Sequence, residues 1–170
     1  MREPMRILQA NYSDTLHALA IVQLLDAYAQ DPAGGGTPLT EFAKINVVRE
    51  LAKRPQAFSV LAFDATAQAD TPVGLVNCIE GFSTFACKPL VNVHDVVVLS
   101  SHRGQRVGEQ MLALAEQIAI QRGACKLTLE VLSGNSSATK LYERIGFAGY
   151  QLDPALGHAL FLQKWLTAKE

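Results

Sequence analysis

The chain has 170 residues, of which 49% are hydrophobic and 18% charged, with a formal net charge of −1. This length holds one compact domain with a sizeable core, and the composition excludes a disordered chain. So small a net charge implies no field-scale attraction to nucleic acid or to an anionic membrane.

Residues 6–10 read as a short strand. Ser13 is placed to cap a helix from Asp14 to about Gln30, with Leu16, Ala20, Leu24 and Ala27 in helical register. Asp31, Pro32 and the run Gly34, Gly35, Gly36 stop it. A second helix begins near Thr40 and runs to Lys53, with Pro55 just beyond. Apolar runs predict strands over 58–63, 73–82 and 91–99, the first two joined by a polar turn over 64–71. Residues 104–123 then carry Val107, Met111, Leu114, Ala115 and Ile118 on one helical face. A strand over 126–131, a helix over 136–145 and strands over 149–152 and 159–165 complete the chain. The order β-α-α-β-β-β-α-β-α-β-β predicts one mixed α/β domain over 1–170, without repeat or linker.

Cys78, Cys87 and Cys125 are odd in number and widely spaced, with no CxxC pair. They read as small buried hydrophobes, and no metal site is expected. No signal-peptide core is seen and no apolar run reaches the ~18 residues of a membrane span, so a cytoplasmic protein with no membrane partner is expected.

The strand over 91–99 leads through Ser100, Ser101 and His102 into Arg103-Gly104-Gln105-Arg106-Val107-Gly108, and a helix follows at once. A helix opening with small residues presents backbone amides and the positive end of its dipole, a combination that binds an anion such as a pyrophosphate. Gly104 and Gly108 let an anion approach the main chain, and Arg103 or Arg106 adds a charge-assisted contact. Taken alone, the same residues also suit a tight strand-to-helix turn. A dinucleotide loop fits less well, because GxGxxG does not occur.

Downstream stands Asn135-Ser136-Ser137-Ala138-Thr139-Lys140-Leu141-Tyr142-Glu143-Arg144-Ile145-Gly146-Phe147. With the upstream loop, this block resembles the GNAT superfamily of N-acetyltransferases. That family's cofactor loop reads Q/R-x-x-G-x-G/A, matched at Arg103 and Gly108, with Arg106 in place of the first glycine. Its second block reads N-x-x-A-x-x-x-Y-x-x-x-G-F, matched at Asn135, Ala138, Tyr142, Gly146 and Phe147. The likeness is close over 91–150, and the element order extends it to the whole chain.

The resemblance implies a GNAT-like mixed sheet in which two parallel strands, 91–99 and 126–131, splay apart. It implies acetyl-CoA (CoA) as cofactor. The pantetheine arm would pair with strand backbone at Val96 and Val98. Pyrophosphate would lie on the amides of Gly104, Gln105, Arg106, Val107, Gly108 and Glu109, with Arg103 beside them. Asn135 and Ala138 would contact the pantetheine region, and Arg106 would point outward. Tyr142 would protonate the leaving thiolate, against the plainer role of a core aromatic.

Acetyl transfer needs a neutral amine, so a base or a water chain must remove a proton. Glu130 is the first candidate, on an otherwise apolar strand where partial burial would raise its pKa. Its place resembles that of the catalytic glutamate of ribosomal-protein N-terminal acetyltransferases. His94 is the second, expected on one strand face with Asn92, Val96 and Val98. Its place relative to Arg103 is similar to that of a catalytic histidine in arylalkylamine acetyltransferases, and an imidazole titrates near neutrality. Glu80 is a weaker third, and Asp95 is expected to point the other way.

The resemblance puts the acceptor pocket at Leu25, Asp26, Ala27, Tyr28 and the Gly34–Gly36 loop, with Phe82, Phe85 and His158 as walls. Asp26 or Asp31 would attract a cationic amine there, against the plainer role of solvated helix-end charges. The expected function is acetyl transfer to a primary amine of a small molecule or amino-acid-like acceptor. The alternatives are a protein N-terminus or lysine as acceptor, a non-catalytic acetyl-CoA-binding module, and a partner-binding domain that never meets CoA. The late strands would permit a homodimer.

Overall fold

The computed structural model describes residues 5–65 and 70–166, so part of the expected turn over 64–71 lies outside the described residues. The chain divides into two compact units, Met1–Leu132 and Ser133–Glu170.

The first unit runs β1 (Arg6–Gln9), α1 (Thr15–Gln30), α2 (Glu41–Ala52), β2 (Ala57–Asp64), β3 (Thr71–Ser83), β4 (Lys88–Val98), α3 (Val107–Gln121) and β5 (Leu127–Leu129). The strands pair in sequence order, antiparallel except for the parallel pair β4–β5. A parallel pair needs a crossover, and α3 supplies it.

Asp14, not Ser13, caps α1: its carboxylate accepts the His17 amide at 3.0 Å. The Ser13 amide instead donates to the Asn11 side chain. The buried stripe of α1 is Ala20, Ile21 and Leu24, while Leu16 is 46% exposed, so the core face is turned toward Ile21. Thr40 caps α2 as expected, accepting the Ala43 amide at 3.2 Å. Helix α3 starts at Val107 rather than near Gly104 and buries Val107, Met111, Leu112, Ala115, Ile118 and Ala119.

Strand register sorts the sheet into rows. On the face packed against α1, Leu61, Leu75 and Val97 stand opposite one another and meet Ala20, Ile21 and Leu24. Each fully buried aliphatic of this kind contributes roughly 1.5–3 kcal/mol. The next row on that face is Ser59, Asn77 and Asp95, and the next is Ala57, Ile79 and Asn92. Positions on β2 and β3 advance by two from row to row, but β4 advances by three, from Asp95 to Asn92. The register shifts between Asn77 and Cys78, and His94 is the extra residue of a β-bulge. The other face carries Val60, Val76 and Val96, and then Phe58, Cys78 and Val93. Gly74, opposite Val98, lies on that face too: a Cβ there would meet the Met111 Cε of α3 at 2.7 Å.

In the second unit α4 (Ser136–Arg144) is bounded at both ends by its own sequence. Asn135 caps it, accepting the Ala138 amide at 3.2 Å. At the other end Gly146 takes φ +100°, its amide bonds the Glu143 carbonyl, and the Phe147 amide bonds the Tyr142 carbonyl at 2.9 Å. This is a Schellman cap, which also brings the residue after the glycine against the one five positions before it. The rings of Phe147 and Tyr142 do meet edge-on, 5.9 Å apart.

The strands expected over 149–152 and 159–165 are not formed, and the described residues hold no strand after Leu129. A strand needs a ladder partner for its amides and carbonyls, and an apolar run alone does not supply one. Leu152, Leu160, Phe161 and Leu162 are exposed instead. The strand edge on which the homodimer expectation rested is therefore missing.

Candidate active site

At the bulge, β4 and β5 bring both base candidates to one asparagine. Strand β5 pairs with β4 only at Val91, Asn92 and Val93, with Thr128 opposite Asn92. The Asn92 Nδ2 donates to Thr128 Oγ1 at 3.0 Å and lies 3.3 Å from each Glu130 carboxylate oxygen. Its Oδ1 bonds the His94 Nδ1. An amide oxygen only accepts, so His94 Nδ1 carries a proton, and in the neutral ring the lone pair is on Nε2. The Glu130 carboxylate, which only accepts, fixes the orientation of the Asn92 amide and through it the tautomer of His94.

Three expectations about these residues are corrected. Glu130 is not on the strand but one residue past its end, and it is exposed rather than partly buried, because β5 is only three residues long. His94 does not share a face with Val96 and Val98: the bulge moves those two to the α3 face while Asn92 stays on the α1 face. For the same reason Asp95 lies on the face of Asn92, where it accepts the Asn77 Nδ2 at 3.0 Å. Glu80 is taken by Arg122, 3.2 Å away.

Residues 99–106 join β4 to α3. Gly104 is left-handed (φ +75°), and so is Arg106 (φ +59°, ψ 20°), which places its exposed side chain outward. A left-handed residue at this position explains why glycine is usual there in the family. The Gln110 amide bonds the Arg106 carbonyl at 3.1 Å, and the amides of Val107 and Gly108 lie in the first turn of α3. The side chains of Val107 and the acidic Glu109 belong to the helix's first turn, and the Gln105 side chain bonds the Ser101 carbonyl. Val96 and Val98 turn their backbone groups to the edge away from β3, since the Leu99 amide bonds inward to the Val73 carbonyl. On that edge the Val98 carbonyl accepts Arg103 Nε at 3.1 Å. Arg103 also reaches Asp31 at 3.1 Å, so it ties the loop to the end of α1.

The proposed amine-attracting carboxylates have protein partners. Asp31 accepts the Ala33 amide and pairs with Arg103, and these two contacts, in that order, hold its carboxyl below the ordinary range. Asp26 accepts the Leu39 amide at 2.8 Å and faces Lys44 at 3.5 Å. Tyr28 is half-buried, and burial first, then Asp95 and Asp31, push its phenol up. Phe82 and Phe85 are exposed, and in the second unit so is His158.

Among the cysteines only Cys78 is buried, whereas Cys87 and Cys125 are exposed, contrary to expectation. Among the described residues no cluster of His, Cys, Asp or Glu suits a metal ion, and no helix is long and apolar enough to cross a membrane. Thr128, Asn77 and Ser59 were not singled out from the sequence, and Asn92 was named only as a neighbour of His94 on its strand. Their signal was polarity inside otherwise apolar runs, at positions that only the register shows to be neighbours.

In the second unit Tyr142 is buried on α4 against Phe147, and the Asn135 Oδ1 is occupied by the Ala138 amide.

The acetyltransferase (GNAT) family model matches residues 21–147, and the chain belongs to that family. The streptothricin acetyltransferase of Streptomyces lavendulae is 34% identical over 96 residues, 55% of this chain and 51% of that one. The uncharacterized N-acetyltransferase YobR of Bacillus subtilis (strain 168) is 31% identical over 78 residues, 46% of this chain and 28% of that one. The chain thus spans about half or less of the curated relatives it matches. Among solved structures, a probable acetyltransferase superposes with a TM-score of 0.76 at 22% identity, covering 94% of this chain and 99% of that one. The aminoglycoside acetyltransferase AAC(6')-Iy, in complex with the bisubstrate analogue CoA-S-monomethyl-acetylneamine, superposes at 0.73 and 17% identity, covering 96% and 99%. At these identities the likeness establishes the fold.

Proposed function

We propose that residues 1–170 act as one acetyl-CoA-dependent N-acetyltransferase domain whose acceptor is a primary amine of a small molecule or amino-acid-like compound. The carrying observation is the Asn92 junction, which joins His94 and Glu130 in a chain belonging to the acetyltransferase family. The streptothricin and aminoglycoside enzymes among the similar proteins support a small amine as acceptor.

Acetyl-CoA, when bound, supplies an activated thioester. The amides from Gly104 to Glu109 would hold its pyrophosphate at the start of α3, with the outward Arg106 adding charge. The outer edge of Val96, with the Val98 amide, would pair with the pantetheine arm. The Val98 carbonyl is already engaged by Arg103. His94 Nε2 takes the proton from the acceptor's ammonium, and Asn92 with Glu130 holds the ring in the tautomer that can. Glu130 thus orients the base rather than acting as one. As the resemblance implies, Tyr142 would return a proton to the leaving sulfur. Because Asp26 and Asp31 are neutralised by Lys44 and Arg103, they are not assigned to the acceptor.

Acetyl-CoA should raise the melting temperature of the full chain, and a panel of amines should show CoA release with at least one member. No shift with acetyl-CoA would sink the cofactor assignment. A shift without turnover on any amine would instead mark a non-catalytic binding module.

A further inference from the structure

On the face of the sheet packed on α1, one row is polar on all three of β2, β3 and β4. Ser59 and Asn77 are 0% and 5% exposed, the buried polar side chains among the described residues. Burying such groups is costly unless every donor and acceptor is matched. Here they are matched in a directed chain. Ser59 Oγ donates to Asn77 Oδ1 at 2.6 Å, and Asn77 Nδ2 donates to Asp95 Oδ2 at 3.0 Å. The Ser59 hydroxyl proton is thereby used, so Tyr12, 2.9 Å away, must donate its own to Ser59. The chain runs from the β1–α1 loop across β2 and β3 and ends on β4, at the residue following His94.

That end point coincides with the register step. Asn77 pairs with Asp95, Cys78 pairs with Val93, and His94 has no partner between them. Removing the bulge while keeping Cys78 opposite Val93 would bring His94 opposite Asn77. Asp95 would then fall opposite Val76 on the apolar α3 face, because a one-residue slip exchanges the faces of a strand. Valine at positions 59 and 77 would bury as well and carry no such preference. The donor at Asn77 favours Asp95 on the α1 face.

We propose that Asn77, backed by Ser59 and Tyr12, is a positioning residue that locks the bulge of β4 and so presents His94 to the site. The effect on turnover rests on the reading of His94 as the base; the effect on the position of His94 does not.

The test follows the imidazole signals of His94 by NMR, identified among the four histidines by their loss in His94→Gln. Asn77→Leu removes the donor while keeping the number and branching of the side-chain heavy atoms, with a bulkier end, and should displace those signals. It should lower kcat by at least about tenfold while KM for acetyl-CoA stays within about twofold. Ser59→Ala, which leaves the Asn77–Asp95 bond in place, should do the same to a smaller extent, and it carries the test if Asn77→Leu fails to fold. Signals that stay in place in a folded variant would overturn the proposal, even with a lowered melting temperature. Displaced signals with full turnover would uphold the positioning of His94 and remove it from the role of base.

Discussion

His94, Asn92 and Glu130 share one hydrogen-bonded junction, but its parts differ in what they can exchange. Glutamine at 130 still presents an oxygen to the Asn92 amide, whereas glutamine at 94 removes the only ring nitrogen with a free lone pair. His94→Gln should therefore lower kcat by about 10²-fold or more and abolish the ascending limb of the pH–rate profile. Glu130→Gln should keep that limb and lose less than about tenfold. The reverse ranking would return the base to Glu130, and an unchanged profile in both would eliminate both. Tyr142→Phe should depress kcat with little change in acetyl-CoA affinity, since the ring packing on Phe147 is retained. Equal losses in both would make Tyr142 a packing residue only.

At the scale of elements, the two motif blocks also serve as helix boundaries. Asn135 and Gly146 begin and end α4, and the bend at Gly104 and Arg106 starts α3. Arg106 is in the left-handed region without being glycine, a conformation costing roughly 1–2 kcal/mol, part of which glycine's greater freedom when unfolded cancels. Arg106→Gly should stabilise the fold by about 0.5–1 kcal/mol in urea denaturation and weaken acetyl-CoA binding. Destabilisation would show that the arginine side chain holds the loop.

Long elements were legible in the sequence because their periodicity is local: α1, α2, α3, α4 and the central strands were all expected within a few residues of where they lie. The bulge was not, because His94 looks like any other strand residue until Asn77 and Asp95 pair across β3 and β4. Strict alternation then put Asn92 on a face with Val96 and Val98, and the bulge separates them. The two late strands were overread because their apolar runs hold no information about a partner. His94 and Glu130 were named from the sequence as candidates, from the resemblance and from polarity within strands. Their hydrogen-bonded order was not.

For the molecule as a whole, the core sets the pH range of stability. Burial, then the charge of Asp95, pushes the Cys78 thiol up to about 12. An unfolded thiol ionises from its ordinary value near 9, so this group's contribution is complete below that value and is lost as pH rises toward 12. Tyr12 and Tyr28, also raised chiefly by burial, add to the loss above about pH 10. Stability should decline from about pH 9 upward, and Cys78→Val should flatten the first part of that decline. The same slope in both proteins would show that Cys78 is not the group responsible.

The proposed activity is direct transfer of an acetyl group to an amine. The most direct measurement follows free CoA thiol and N-acetylated amine together, by mass spectrometry, with the full chain, acetyl-CoA and a small-amine panel. The predicted result is one acetylated acceptor for each CoA released, both lost in His94→Gln. CoA release with no acetylated amine from any acceptor, or no release at all, would contradict the assignment.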